Sequence, residues 1–263
     1  MSTLDKMIEK HGAPLLGMVA CRYDPVYVEI VASLGFHALW IEMEHAAITF
    51  REAEDLCRLA SSLGLLTLLR IPDARRDSVL KAVESGTDIL DLPMANSPQV
   101  LQELVKHARY SPEGDRGFFS SSRAMRYGLV SDIVKQRRNV NEQLCLMAQI
   151  ETPEALEHIE EICQVPGIDA LFMGTGDFSA AFGMPGQRDN PVVQEAVNRV
   201  IATAKRYGKR IVLPSDPAEA GQWAQKGVDL LFLRNDVACL RLAAKSALDE
   251  AQASLRALAH DTR

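Results

Sequence analysis

A chain of 263 residues, 47% of them hydrophobic and 24% charged, is long enough for one large domain with a substantial core. Its net charge of -6 and pI near 5.6 give no footing for binding nucleic acid or an anionic membrane. The N-terminal "MSTLDKMIEKHG" lacks an apolar signal core, and no run is long enough to span a bilayer.

Five scattered cysteines (Cys21, Cys57, Cys145, Cys163, Cys239) never fall in CxxC spacing, against both a disulfide framework and a thiolate metal site. A reducing compartment and a cytoplasmic protein are the expectation.

In chain order, apolar, β-rich runs alternate with amphipathic helical segments. The runs are "PLLGMVA" (14–20), "FHALWIEME" (36–44), "LLTLLRI" (65–71), "TDILDLPMA" (87–95), "LCLMAQIE" (144–151), "IDALFMGTGD" (168–177), "KRIVLPS" (209–215) and "VDLLFLRND" (228–236). They are apolar nearly throughout, as parallel strands covered by helices should be. Helical segments such as "DPVYVEIVASLG" and "NPVVQEAVNRVIATAKRYG" end in the glycine expected just past a helix C-terminus: Gly35, Gly64, Gly86, Gly208, Gly227. Eight βα repeats predict a (β/α)8 barrel in a single domain spanning 1–263. The rival, a doubly wound sheet, usually opens with a glycine-rich turn, and "CRYDP" after the first run is not one. One connection is unusually long, a polar loop and helix over 110–143 between strands four and five, of the kind that carries function or meets a neighbouring subunit.

A barrel collects its catalytic groups at the C-terminal ends of its strands. Those ends read Glu42, Glu44 and His45; Arg70; Met94 and Asn96; Gln149 and Glu151; Asp177; Ser215; then Arg234, Asn235 and Asp236, while the opposite ends are expected to carry little. Glu151 and Asp177 close consecutive strands, and two hard carboxylates with open positions suit Mg²⁺, Mn²⁺ or Co²⁺. Gly174, Thr175 and Gly176 would leave backbone amides open to a carboxylate or phosphate. Arg70 is the cation for a developing oxyanion, and His45 the candidate base.

Each has a plainer alternative. His45 could be a solvated residue opening a helix, Arg70 the partner of a neighbouring acid, and Glu151 ("ETPEA") and Asp177 ("GDFS") helix-start residues. Their joint placement favours a site. The nine lysines all fall in helical segments or before strands, so a Schiff base has no candidate and a metal ion is the expected activator.

"IEMEHA", "LLRIP", "DLPMANSPQ", "RYSPEGDRGFFSSSRAMRYG", "AQIETPEA" and "DALFMGTGDFS" together resemble, from about residue 14 to 250, the HpcH/HpaI family of metal-dependent class II pyruvate aldolases. The resemblance implies a barrel of the phosphoenolpyruvate/pyruvate superfamily with an exchanged eighth helix, assembled as a hexamer, a trimer of dimers. It implies reversible aldol cleavage of a 4-hydroxy-2-oxoacid to pyruvate, or a related 2-oxoacid, and an aldehyde. By position, Glu151 and Asp177 would ligate the metal, with Gln149 beside them. Arg70 would contact the keto oxygen, and the amides around Thr175 to Asp177 would hold the carboxylate. His45 would act as base, with Glu44 near metal-bound water and Glu84 standing where the family usually has an aspartate that orients the histidine.

Four departures bear on specificity. The usual Asp-x-Glu-His is Glu42-Met43-Glu44-His45, the usual Gly-Pro-x-Asp is Gly174-Thr175-Gly176-Asp177, Glu84 replaces aspartate, and Val19 stands where many members have Trp. Two other readings are a CoA-thioester lyase of the citrate-lyase-β type, for which no basic nucleotide site is evident, and a barrel that binds a keto acid without turnover.

Overall fold

A computed structural model of the chain describes residues 1–261, and the side chains of residues 1–257. Eight parallel strands close into a barrel in sequence order: β1 Leu15–Ala20, β2 Ala38–Glu42, β3 Leu66–Arg70, β4 Ile89–Leu92, β5 Cys145–Ile150, β6 Ala170–Met173, β7 Arg210–Pro214 and β8 Leu230–Asn235. All eight predicted strands are present, each shorter than its apolar run, because the run spills into loops that also face the interior. The run 168–177 shows this most clearly: β6 stops at Met173.

The helices are α1 Thr3–His11, α2 Pro25–Ser33, α3 Phe50–Ser62, α4 Arg76–Glu84, α5 Pro98–Ala108, α6 Ile133–Gln143, α7 Pro153–Glu157, α8 Ile159–Gln164, α9 Thr175–Ala181, α10 Pro191–Arg206, α11 Ala220–Gln225 and α12 Asp236–Asp261, with 3₁₀ turns at Arg126–Gly128 and Pro217–Glu219. Their starts follow local chemistry. Ser2 and Thr49 form reciprocal capping boxes with Asp5 and Glu52, and the side chains of Asp24, Asp132, Thr152 and Asn190 accept amides of the first turn. Gly64 and Gly208, just past α3 and α10, sit at φ 83° and 66°, where a side chain would be strained.

Alternation along the strands divides the core in two. Leu15, Ala38, Trp40, Leu66, Leu68, Ile89, Met147, Phe172 and Phe232 fill the barrel interior, while a larger cluster packs strands against helices. Leu4 of α1, fully buried, plugs the N-terminal end of the barrel.

That end is more charged than expected. Asp88, Asp169 and Asp229 each precede a strand, and each accepts the amide of the neighbouring strand's start, from Thr67 (2.9 Å), Leu146 (2.9 Å) and Ile211 (2.8 Å). Arg109 pairs with Asp169 at 2.8 Å, and Arg210 with Asp229 and Asp5 at 2.9 Å each. These acids are spent on strand register.

The long connection also belongs here, because it follows α5, whose C-terminus lies at the strand starts. Arg109 anchors it, donating to the carbonyls of Asn141, Leu144 (2.9 Å) and Gly167 (3.3 Å). Tyr110 is stacked between the guanidinium groups of Arg116 (4.5 Å) and Arg137 (5.0 Å).

Candidate active site

The inward positions of β2 to β5, followed to the C-terminal end, turn from apolar to polar or charged. On β2 the order is Ala38, Trp40, Glu42; on β3, Leu66, Leu68, Arg70; on β4, Ile89, Asp91; on β5, Cys145, Met147, Gln149, with Glu151 immediately beyond. An aromatic layer separates the two regions. Trp40 makes edge contacts with Phe172 (5.0 Å between centroids) and Phe232 (5.4 Å), and the Arg70 guanidinium lies 5.0 Å above the Trp40 ring. Gly17 makes room for this floor, since a Cβ there would stand 2.5 Å from the Phe232 ring.

Arg70, 6% exposed, is the hub. Its Nε donates to Glu42 Oε2 at 2.6 Å, and its Nη2 meets the same oxygen at 2.6 Å. Its Nη1 faces Glu44 Oε2 at 3.1 Å and Gln149 Oε1 at 3.5 Å. The other oxygen of Glu42 accepts the backbone amides of Glu44 (2.7 Å) and His45 (3.0 Å). One buried carboxylate therefore fixes both the arginine and the loop that carries the histidine. Burial alone would lower the Arg70 pKa, and the charges of Glu42 and Glu44, with the hydrogen bond to Glu42, overturn that and raise it.

Glu151 is buried and held from two sides. Its Oε1 accepts the Met94 amide at 2.6 Å, and its Oε2 accepts from the Gln149 side-chain amide. Met94 presents that amide from a left-handed backbone (φ 51°), a conformation costly for a non-glycine residue and common at functional sites. Gly174 closes against the same pair: a Cβ there would lie 2.8 Å from Glu151 Cβ and 3.0 Å from Gln149 Nε2.

Burial pushes the Glu151 carboxyl up, opposed by those hydrogen bonds and reinforced by the charges of Glu44 and Asp177. Burial likewise raises Glu44, against the pull of Arg70 and His45 and with the push of Glu42 and Asp177. Four carboxyl groups, Glu42, Glu44, Glu151 and Asp177, with one arginine among them leave the mouth short of positive charge.

The predicted residues fall into groups. Glu44, Arg70, Gln149, Glu151 and Gly174 are brought together. Asp177 lies in the first turn of α9 rather than at a strand end, exposed, with Thr175 and Gly176 beside it. His45 is exposed at the rim, its Nε2 3.8 Å from Glu44 Oε2. Glu84 stands apart. It is the last residue of α4, at the opposite end of the barrel, where its Oε1 accepts Arg116 Nε (3.2 Å) and Nη2 (2.9 Å). Within this chain it does not orient His45.

Asn96 and Asn235 accept from Thr152 Oγ1 and the Ala238 amide, both at 2.7 Å, and Asp236 accepts the amides of Cys21 and Val237, so these mouth residues build turns. Asp91 is the residue that strand-end reading misses. It lies inside the run 87–95, and the visible signal is an acid one position inward of Leu92 and two beyond Ile89, on the interior parity.

The sequence profile of the HpcH/HpaI aldolase/citrate lyase family matches residues 17–238. A hydroxypyruvate/pyruvate aldolase of Delftia acidovorans is 30% identical over 247 residues, 93% of this chain and 91% of that one. The 2-keto-3-deoxy-L-rhamnonate aldolase of Escherichia coli K12 is 30% identical over 243 residues, 89% of this chain and 90% of its own. A crystal structure of an HpcH/HpaI aldolase from Desulfitobacterium hafniense DCB-2 is similar with a TM-score of 0.88 and 30% identity, covering 94% of this chain and 96% of that one.

Proposed function

Because the chain belongs to the HpcH/HpaI aldolase/citrate lyase family and is a carbon–carbon lyase of the aldolase type, we propose a metal-dependent class II enzyme. It cleaves a 4-hydroxy-2-oxoacid, reversibly, into pyruvate or a related 2-oxoacid and an aldehyde. The observation that carries this reading is the hub at one barrel mouth: Arg70 clamped by Glu42, with Glu44, Gln149 and Glu151 around it and His45 at the rim.

The donor set fits a divalent ion such as Mg²⁺, Mn²⁺ or Co²⁺. Glu151 and Asp177 offer hard carboxylate oxygens, Gln149 fixes the orientation of Glu151, and Gly174 packs closely against that pair. Among the described residues no group of three or more His, Cys, Asp or Glu side chains is placed to hold an ion, so a metal would rest on Glu151 and Asp177 with water and substrate completing its shell. A bound ion would supply Lewis acidity toward the 2-oxoacid.

The chain's own groups do the rest. The amides of Thr175, Gly176 and Asp177 hold the substrate carboxylate. Arg70 donates to the keto oxygen and stabilises it as charge develops there, which in comparable sites lowers the barrier by about 3 kcal/mol. His45 removes the C3 proton in the synthetic direction and returns it in cleavage, with Glu44 behind its imidazole.

The working form we propose is a hexamer, a trimer of dimers with α12 exchanged between barrels. In support, residues 240–257 of α12 are exposed, with Leu240, Leu248 and Leu255 55%, 54% and 67% accessible. No helix among the described residues is long and apolar enough to cross a membrane, and all five cysteines are free, which supports a cytoplasmic setting.

The test is exchange of pyruvate methyl protons in D₂O, followed by NMR with and without Mg²⁺ or Mn²⁺. Exchange is expected with metal and lost in His45→Ala. Exchange that survives EDTA overturns the metal reading, and tight binding without exchange points to a non-catalytic barrel.

A further inference from the structure

Asp91 is inward on β4, directly opposite Arg70 in the β3–β4 register, and 0% exposed. Neither of its carboxyl oxygens has a hydrogen-bond partner, in a chain where the other buried strand-linked acids, Glu42 and Glu151, are bonded through both. The nearest cation in the ladder is already committed: Nε and Nη2 of Arg70 go to Glu42, and Nη1 to Glu44 and Gln149.

Count the charges at this floor. Arg70 supplies one positive charge, and Glu42 and Glu44 supply two negative ones in contact with it. An ionised Asp91 would add a third, buried and without one hydrogen bond, which is the most costly state a carboxyl can take inside a protein. A neutral carboxylic acid in the same place is only a polar group in a tight space.

We propose that Asp91 is held as the neutral acid beneath Arg70, a positioning residue whose lack of charge leaves the guanidinium's field to the reacting oxygen. The charged groups facing it are Glu42 from β2, Glu44 from the following loop, Arg70 from β3 and Glu151 from the end of β5. Burial drives its carboxyl well above the ordinary range, Arg70 opposes this, and the three glutamates add to it. If Asp91 ionised, its charge would stand beside the same guanidinium that must stabilise negative charge on the substrate, and turnover would fall. This role rests on the aldolase reading, whereas the protonation state does not.

The experiment is infrared difference spectroscopy of the whole protein against Asp91→Asn, in H₂O and D₂O at neutral pH, with EDTA and with Mg²⁺. A protonated-carboxyl C=O band, shifted in D₂O and missing from the variant in both metal conditions, is the expected result. Absence of that band in the wild type overturns the proposal. Asp91→Leu, a second neutral variant, carries the same comparison if the asparagine form does not fold.

The kinetic arm uses the pyruvate exchange rate. In the wild type the rate is expected to fall at alkaline pH as Asp91 ionises, and Asp91→Asn is expected to lose that fall. A loss of about a hundredfold in Asp91→Asn would show that a negative charge is required, and would overturn the proposal. Should the wild type show no exchange with any metal while the infrared band is present, the aldolase reading fails and the neutral acid stands.

Discussion

Glu42 shows what one methylene does at this site. Its four hydrogen-bonded contacts lie in two directions, two N–H groups of Arg70 on one oxygen and the amides of Glu44 and His45 on the other. A glutamate spans both from the end of β2, and an aspartate there would be shorter by about 1.5 Å, so one arm would be given up. Glu42→Asp is expected to fold normally and to lose about a hundredfold in kcat/KM for aldol cleavage, since a misplacement near 1 Å costs that much at a catalytic group. Steady-state kinetics beside a circular dichroism spectrum checks this, and wild-type kinetics in Glu42→Asp would refute the two-armed role.

The residue types at positions 42, 44, 45, 70, 149 and 151 were legible because each is ionisable or amide-bearing and ends an otherwise apolar run. Their bonding was not. Nothing local says that Glu42 turns down to Arg70 while Glu44 stays half-exposed. That follows from strand register, which aligns Glu42 with Arg70 and Arg70 with Asp91. Asp91 was hidden for a related reason: a lone acid in "DILDLP" has weight only once the inward parity of β4 is known.

At the scale of elements, β6 and α9 make the clearest case. The run 168–177 was readable as a strand, but the chain leaves β6 at Met173 and turns at Gly174 straight into α9, which moves Asp177 from a strand end to a helix start. The turn is tight because Gly174 packs on Glu151 and Gln149. Its lack of a side chain serves the neighbouring carboxylate as much as the backbone amides. Gly174→Ala is expected to push Glu151 aside and weaken Mn²⁺ binding about tenfold or more, as changes around metal ligands commonly do. Isothermal titration against the folded variant measures it, and unchanged affinity would remove Glu151 from the metal set.

Element topology also accounts for Glu84, whose role is carried over from the family's aspartate: α4 ends where the strands begin, a full strand length from the mouth that holds this chain's His45, and position in the sequence hides that distance. The acids at that end were likewise missed, because Asp88, Asp169 and Asp229 precede their strands and read as turn residues. The structure shows each one tying a strand start to its neighbour.

The whole molecule is less finished than its barrel. A helix of 26 residues is about 39 Å long, longer than the strands it would cover. Residues 240–257 of α12 are exposed rather than buried on the barrel, although β8 and β1, which its start flanks, are adjacent in the sheet. On the same flank Val26 and Ile30 of α2, and Leu34 just past it, are 62%, 50% and 71% exposed. In the exchange proposed above, the apolar stripe on α12 and the apolar face beside β1 would meet between two copies, and a two-fold arrangement would bury both at once. Burying three leucine side chains is worth about 2 kcal/mol each, or roughly 12 kcal/mol across the six in a symmetric pair, enough to make the pairing stable at low concentration. Replacing Leu240, Leu248 and Leu255 together by serine is therefore expected to take the particle from a multiple of the 29.0 kDa chain toward the single chain. Light scattering on a sizing column reads the mass directly. A wild type that runs as a monomer would overturn the exchange, and a monomeric variant that keeps its barrel spectrum but loses turnover would show that the mouth needs its neighbour.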